Sequence, residues 1–195
     1  NLPRSTTMTL TGGKIWGEVS ESFLSTLKNN LSAGGKTYRP VSLWINWPVT
    51  DNSKQHLILG GGEKFLHPNV DPSLLSGIML NPMQQSEPSK IALFSGAQYS
   101  WKQWKSEEEA KKINDIAFNF VENGHFEDSK VSAAFRELGK HMINQNMDNR
   151  VVKLEESVDL APKLTAFMPT LKAGQDVPAE RAALRAEFAK IKEAA

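Results

Sequence analysis

In the first part of the chain, short apolar runs alternate with segments whose apolar residues recur every three or four positions. The short runs predict β-strands, because they are too brief for helices and are bounded by Gly, Pro or Asn. The longer segments predict helices that each bury one face. Strands are expected at Met8–Leu10, Val41–Ile45 and Ser76–Leu80. Helices are expected at Glu21–Leu31, around Lys54–Leu59 and from Ser86 through Ala97.

This alternation is typical of βα units on a parallel sheet. None of the three apolar runs has the strict apolar–polar alternation of an antiparallel strand with one solvated face. The first part is therefore predicted to have an α/β fold.

After residue 104 the pattern is helical throughout. All five tryptophans and seven of the ten prolines precede this point. Helices are predicted from the Ser106 cap to Asn123, from Ser132 to about Asn144, at Leu160–Leu171 and from Pro178 to about Glu193. The residues expected to face inward in the second and fourth of these are Phe135, Leu138, Met142, Leu184, Phe188 and Ile191. We divide the chain into an α/β part, residues 1–104, and an all-α bundle, residues 105–195.

Composition excludes several classes of function. The 195 residues carry a net charge of +1, which favours neither a nucleic acid nor an anionic membrane as a partner. There is no cysteine for a disulfide, a thiolate metal site or a nucleophile. No apolar run approaches the roughly 18 residues of a membrane span, and residues 1–12 lack a signal-peptide pattern. The four histidines lack ligand spacing and no phosphate loop is present, so neither metal nor cofactor is expected.

Polar and aromatic residues follow each predicted strand. Thr11 follows the first strand; Trp44, Asn46 and Asp51 lie at the end of the second; Asn81 follows the third. Since the carboxyl ends of parallel strands form one rim, these side chains are expected to converge there. An aromatic face for C–H groups, with amides and a carboxylate for hydroxyls, is typical of sugar binding.

Two simpler interpretations remain open. Asn81 precedes Pro82 and could serve only to shape a turn. Trp44 could be a core residue, as most single tryptophans in strands are. If both interpretations hold, the first part is a purely structural α/β domain whose rim carries polar residues without a function.

In these residues the sequence resembles glycoside hydrolase family 84, the β-N-acetylglucosaminidases that include O-GlcNAcases and hyaluronidase-type toxins. The resemblance rests on Thr11-Gly12, Trp44-x-Asn46-x-x-x-x-Asp51 and Gly77-x-x-x-Asn81-Pro82. The stretch from Met83 to Trp101 strengthens it, and the helical part adds His141-Met142 and Asn146–Arg150.

The resemblance implies a (β/α)₈ barrel followed by a helical bundle, of which this chain would carry the last three βα units and the bundle. A whole barrel needs about 250 residues. The family hydrolyses terminal β-linked N-acetylglucosamine with retention through an oxazoline, using an adjacent aspartate pair. This sequence contains no Asp-Asp, and Glu127-Asp128 in the helical part is no substitute. The catalytic pair is therefore expected upstream.

The resemblance also assigns roles. Asp51 would hold the outer sugar hydroxyls with help from Asn81, and Asn46 would support the sugar or the catalytic pair. Trp44 would wall the acetamido pocket, and Thr11 would line the same rim. The segment Asp148–Val152 would approach the barrel mouth, although some relatives have an aromatic residue in place of Val152.

Two functions follow as hypotheses. The first is a sugar-binding part of a retaining β-N-acetylglucosaminidase, whose partners are a glycan or glycoprotein containing N-acetylglucosamine and the N-terminal part of the barrel. The alternative is a non-catalytic carbohydrate-binding or interaction module. The resemblance further implies a bacterial protein that is secreted or held at the cell surface.

Overall fold

The computed structural model describes residues 3, 5–12, 15, 17–51, 56–143 and 155–195. These residues form three β-strands and six α-helices. The strands are β1 (Thr9–Leu10), β2 (Val41–Ile45) and β3 (Leu75–Leu80). The helices are α1 (Glu21–Leu31), α2 (Ser86–Trp101), α3 (Glu107–Asn123), α4 (Lys130–Gly139), α5 (Ala161–Lys172) and α6 (Pro178–Ala194).

The three strands form one parallel sheet in the order β1-β2-β3, which confirms the predicted α/β arrangement of the first part. Thr9 of β1 lies opposite Ser42 of β2, and Trp44 of β2 lies opposite Met79 of β3. All three carboxyl ends therefore lie at the same edge of the sheet.

The two faces of the sheet differ in burial. Val41, Leu43 and Ile45 alternate along β2 and are each at most 4% exposed, because they pack into the core beneath the helices. The intervening Trp44 and its neighbour Met79 are 42% and 41% exposed on the opposite face. Parallel sheets are normally covered on both faces, so the exposed face is unusual.

The predicted helix around Lys54–Leu59 is wrong for residues 56–59, which have no regular secondary structure; residues 54 and 55 lie outside the described residues. The backbone amide of Ile58 donates to the sulfur of Met83 over 3.2 Å. The amide of Leu59 donates to the carbonyl of Met142 over 2.7 Å. Distant partners therefore take the amides that a helix would have paired locally.

Side-chain caps explain why two helices begin where the sequence predicted. The Ser20 hydroxyl accepts from the amide of Phe23 over 3.3 Å at the start of α1. The Ser106 hydroxyl accepts from the amide of Glu109 over 3.2 Å at the start of α3. Each bond satisfies one amide that the first helical turn leaves without a partner.

The helical part corrects two finer predictions. Helix α4 is capped by Ser129 rather than starting at Ser132, because the two side chains form a reciprocal capping box, and it ends at Gly139 rather than near Asn144. In α6, Leu184 is buried as predicted, but Phe188 is 49% exposed rather than inward. Phe188 therefore adds little to the bundle core.

One hydrophobic core extends through both parts of the chain. It includes Leu43 of β2, Ile91 of α2 and Phe118 of α3, so α3 packs directly against the α/β part. The division at residue 104 stays a prediction, as does the number of barrel units. Within the described residues, none of the helices is both long and apolar enough to cross a bilayer.

Candidate functional site

Trp44 and Asn46 leave the carboxyl end of β2 together. The indole Nε1–H of Trp44 donates to the side-chain oxygen of Asn46 over 2.7 Å. The strand alternation that buries Leu43 and Ile45 turns Trp44 to the exposed face. An aromatic surface is thus held in solvent with its polar atom already bonded.

Asn46 also bonds Asn81 at the end of β3 and Ile15, which lies beyond β1. Its side-chain oxygen accepts a second bond from the Asn81 amide nitrogen over 3.1 Å, and its own amide nitrogen donates to the Ile15 carbonyl over 2.7 Å. The backbone amide of Asn81 donates to the carbonyl of Ile45 over 2.9 Å. Trp44, Asn46 and Asn81 therefore form one bonded cluster, which we call the rim cluster.

The hydrogen-bonding capacity of the two asparagines divides their roles. Both lone pairs of the Asn46 oxygen and one of its two amide hydrogens are used within the protein. Asn81 spends only one of its four side-chain positions on the rim cluster. Asn46 is suited to hold its neighbours in place, whereas Asn81 is suited to bind a ligand.

Thr11 directly follows β1 and lies close to Gly17. A Cβ atom on Gly17 would come within 2.7 Å of the Thr11 carbonyl oxygen, so two stretches of backbone touch there. Gly12 adopts a φ of +81°, a conformation that side chains strain. The backbone of Thr11 and Gly12 therefore lies against Gly17, and the Ile15 carbonyl accepts a hydrogen bond from Asn46.

The five predicted site residues are not equivalent in the structure. The hydrogen bonds of the rim cluster join Trp44, Asn46 and Asn81. Thr11 and Asp51 are exposed after the ends of β1 and β2. Asp51 directly follows Thr50, which is only 6% exposed. Asp51 is therefore the first exposed residue after this buried stretch. The segment Asp148–Val152 lies outside the described residues.

Trp47, which the sequence analysis did not select, bonds Gly60 and packs on Phe65. The indole of Trp47 is buried, donates to the Gly60 carbonyl over 2.9 Å and packs on Phe65 with ring centroids 4.8 Å apart. The Trp47–Pro48 peptide bond is cis. The available signal was the buried-strand context of Trp47 followed by three glycines at residues 60–62, a pattern typical of close backbone approach.

The site chemistry is that of neutral amides, an indole and a carboxylate. Within the described part of the chain, no group of three or more metal-ligating side chains could hold a metal ion. Such a set can bind the hydroxyls and the C–H face of a sugar ring.

Comparison with known proteins decides the family. The family model NAGidase, described as beta-N-acetylglucosaminidase, matches residues 1–140. The chain belongs to this family. The resemblance to glycoside hydrolase family 84 is confirmed, since solved structures of that family also match almost the entire chain.

The structure of CpGH84D is 27% identical, with a TM-score of 0.77, and matches 99% of this chain and 30% of that one. CpGH84B, at 24% identity and a TM-score of 0.67, matches 97% of this chain and 30% of its own. A mutant of the Thermobaculum terrenum O-GlcNAc hydrolase, at 21% identity and a TM-score of 0.63, matches 99% and 38%. The last two show the fold alone, and this NAGidase chain spans 30–38% of the length of the three.

Proposed function

We propose that this chain supplies sugar-binding residues to a retaining β-N-acetylglucosaminidase. The enzyme would hydrolyse terminal β-linked N-acetylglucosamine on a glycan or glycoprotein. The observation that carries the proposal is the rim cluster. It places an exposed indole and a partly unused amide at the carboxyl ends of parallel strands, in a chain of the NAGidase family.

Each candidate residue is assigned a role in sugar binding. The carboxylate of Asp51 accepts hydrogen bonds from outer hydroxyls, and the side chain of Asn81 adds another. The exposed indole of Trp44 packs against the acetamido methyl group, while Asn46 keeps the indole oriented. Thr11 lines the neighbouring side of the rim.

The reaction itself follows the substrate-assisted route. The acetamido oxygen of the substrate attacks the anomeric carbon, the glycosidic bond breaks, and an oxazoline forms that water then opens. An aspartate pair would orient the acetamido group and transfer the proton. No adjacent aspartates occur in these 195 residues, so the pair is assigned to another part of the barrel.

The uncovered face of the sheet supports the presence of that other part. Trp44 and Met79 lie side by side on this face and are each about two-fifths exposed. Closing a barrel would cover it, as parallel sheets require. The remaining strands of the barrel are therefore proposed as the structural partner of this chain.

The decisive experiment replaces Asp51 in the complete enzyme and measures hydrolysis of an aryl N-acetylglucosaminide. Asp51→Ala should lower kcat/KM about 10- to 100-fold, because a hydrogen bond to a charged group is worth about 1.5–3 kcal/mol. The control is Asp176→Ala, which removes an exposed carboxylate paired with Arg181 at the start of α6. Equal kinetics for Asp51→Ala and the control would contradict the proposal.

The absence of an aspartate pair also favours a second candidate, a non-catalytic carbohydrate-binding module. This module would bind N-acetylglucosamine as the isolated 195-residue chain and would unfold cooperatively without further barrel strands. Calorimetric titration with N-acetylglucosamine and denaturant unfolding of the isolated chain test both properties. Saturable binding together with a complete protein that hydrolyses no substrate would favour the module over the enzyme.

A further inference from the structure

Gly96 lies in the interior of α2, a position at which glycine is unusual. Glycine is one of the least favourable residues in the middle of a helix, because its backbone loses more freedom on folding than that of any other residue. Gly96 is buried, and it is neither at the end of the helix nor in a left-handed conformation. Its presence therefore indicates a close contact that a side chain would prevent.

The side chain of Leu80 occupies the space that a side chain at position 96 would need. A Cβ atom on Gly96 would lie 2.3 Å from Cδ1 of Leu80, 3.4 Å from its Cγ and 3.5 Å from its Cδ2. The end of the leucine side chain therefore rests against the bare backbone of α2. Leu80 also packs against the hydrophobic core, which limits where its methyl groups can move.

Leu80 is the last residue of β3 and directly precedes a member of the rim cluster. It lies opposite Ile45 of β2, which is only 4% exposed. The next residue, Asn81, donates its backbone amide to the Ile45 carbonyl over 2.9 Å and its side-chain amide to Asn46 over 3.1 Å. The carboxyl end of β3 is therefore held by β2 along its edge and by α2 on the face that carries Leu80.

We propose that Gly96 is a positioning residue for Asn81. The bare backbone at Gly96 lets Leu80 approach α2 closely, and this contact sets the distance between the helix and the carboxyl end of β3. Asn81 follows directly, so the same contact sets the position from which its side chain bonds Asn46 and binds a ligand. The inference rests on the proposed sugar-binding role of Asn81.

The test is Gly96→Ala in the complete enzyme, with an aryl N-acetylglucosaminide as substrate. The added methyl group would displace Leu80, and Asn81 would move with it. KM should rise about threefold to tenfold, as expected for the loss of one hydrogen bond between neutral groups. The kcat should change less than about twofold, because Asn81 would bind outer hydroxyls equally in the ground state and the transition state. A parental KM would overturn the positioning role.

Hydrogen exchange gives a second measurement that does not depend on the substrate. The backbone amide of Asn81 is bonded to the Ile45 carbonyl, and displacement of the strand end should weaken this bond. Exchange of this amide in Gly96→Ala should be about tenfold faster than in the parent, because local opening becomes easier.

The matched control is Gly139→Ala, the same substitution at a buried glycine of α4. A Cβ atom there would lie 2.6 Å from Cζ of Phe118, so this variant also overpacks a helix contact. Phe118 belongs to α3 and not to β3. Gly139→Ala should lower the melting temperature, but it should leave KM and the exchange of the Asn81 amide as in the parent. An equal rise in KM for both variants would assign the effect to lost stability and overturn the positioning role.

A compensating variant tests the contact itself. Leu80→Val removes the Cδ atoms that the new methyl group would meet, so Gly96→Ala should raise KM less than about twofold in a Leu80→Val background. A full rise in this background would overturn the proposal. If Gly96→Ala alone does not fold, Leu80→Ala removes the same contact and should raise KM. Ile78→Ala is the control for this variant, because it lies two residues earlier on the same face of β3 and also packs on the core. Equal KM values for Leu80→Ala and Ile78→Ala would also overturn the proposal.

An Asn81→Ala background separates this inference from the proposed function. Asn81→Ala should itself raise KM, and Gly96→Ala should then add little. Additive effects would overturn the positioning role. Parental kinetics for Asn81→Ala would instead overturn sugar binding by Asn81. Faster exchange of the Asn81 amide in Gly96→Ala, but not in Gly139→Ala, would in that case still support the role of Gly96 in seating the end of β3.

Discussion

The side-chain amide of Asn81 donates to the side-chain oxygen of Asn46 over 3.1 Å, which joins the ends of two neighbouring parallel strands. The same oxygen accepts from the Trp44 indole, so one amide organises both an aromatic and a polar group. The candidate site thus depends on a single central side chain that is half-buried and makes three described hydrogen bonds.

Asn46→Ala should therefore destabilise the fold and release Trp44. The loss of three bonds should lower the free energy of unfolding by about 1–3 kcal/mol, since some of the partners regain water. Asn81→Ala removes one of these bonds and should cost less than Asn46→Ala. Denaturant unfolding measures the first effect, and faster exchange of the Trp44 indole proton measures the second. Equal stability of the two variants would contradict the central role of Asn46.

Gly17→Ala should distort the loop that follows β1. The new methyl group would meet the Thr11 carbonyl at 2.7 Å, and backbone cannot move aside as a side chain can. We expect a loss of about 1–3 kcal/mol in unfolding free energy, as for other overpacking changes. Gly77→Ala is the control, because its Cβ would meet nothing within 4 Å. A stability for Gly17→Ala equal to that of the control would show that the close approach is relieved at no cost.

Glu63 should make stability depend on pH in the direction opposite to most carboxylates. Glu63 is only 8% exposed. This burial raises the pKa of its carboxyl above the ordinary 4.5, although the nearby charge of Lys111 acts to lower the pKa. The protonated form therefore favours the folded state. Its contribution is complete below pH 4.5 and is lost as pH rises through the raised pKa.

Glu63→Gln mimics the protonated form and isolates this effect. The variant should gain stability over the parent as pH rises toward neutrality, and the two should converge at acidic pH. Unfolding free energies measured across this range provide the test. Glu87→Gln is the control, because it makes the same substitution at an exposed carboxylate that is paired with Lys90. A constant difference between Glu63→Gln and the parent would contradict the assigned pKa direction.

Local signals in the sequence were sufficient for the elements with their own caps. Ser20 and Ser106 bond amides three positions ahead, so α1 and α3 begin where a short window predicts. The start of α4 was misplaced because Ser129 and Ser132 are both plausible caps and form a box in which only the first is the N-cap. The parallel sheet followed from its short apolar runs.

Non-local contacts account for what the sequence could not reveal. The stretch around Lys54–Leu59 suggested a helix, yet the amides of Ile58 and Leu59 bond Met83 and Met142, which lie far along the chain. The central position of Asn46 in the hydrogen-bond network depends on Ile15 and Asn81, which only the fold brings close to it. The residue types of the site could be predicted from their positions after each strand. Which of them holds the others in place could not.

The bonds that Leu59 makes to Met142 and Asn114 bear on how members of this family can be recombined. A chimera joined at residue 105 would inherit Leu59 from one parent and its hydrogen-bond partners, Asn114 and Met142, from the other. A second parent without an amide donor at the position of Asn114 would leave the buried Leu59 carbonyl without this partner, which costs about 1–3 kcal/mol. Productive crossovers are therefore expected upstream of β2, so that Leu59 and the residues that bond it come from the same parent.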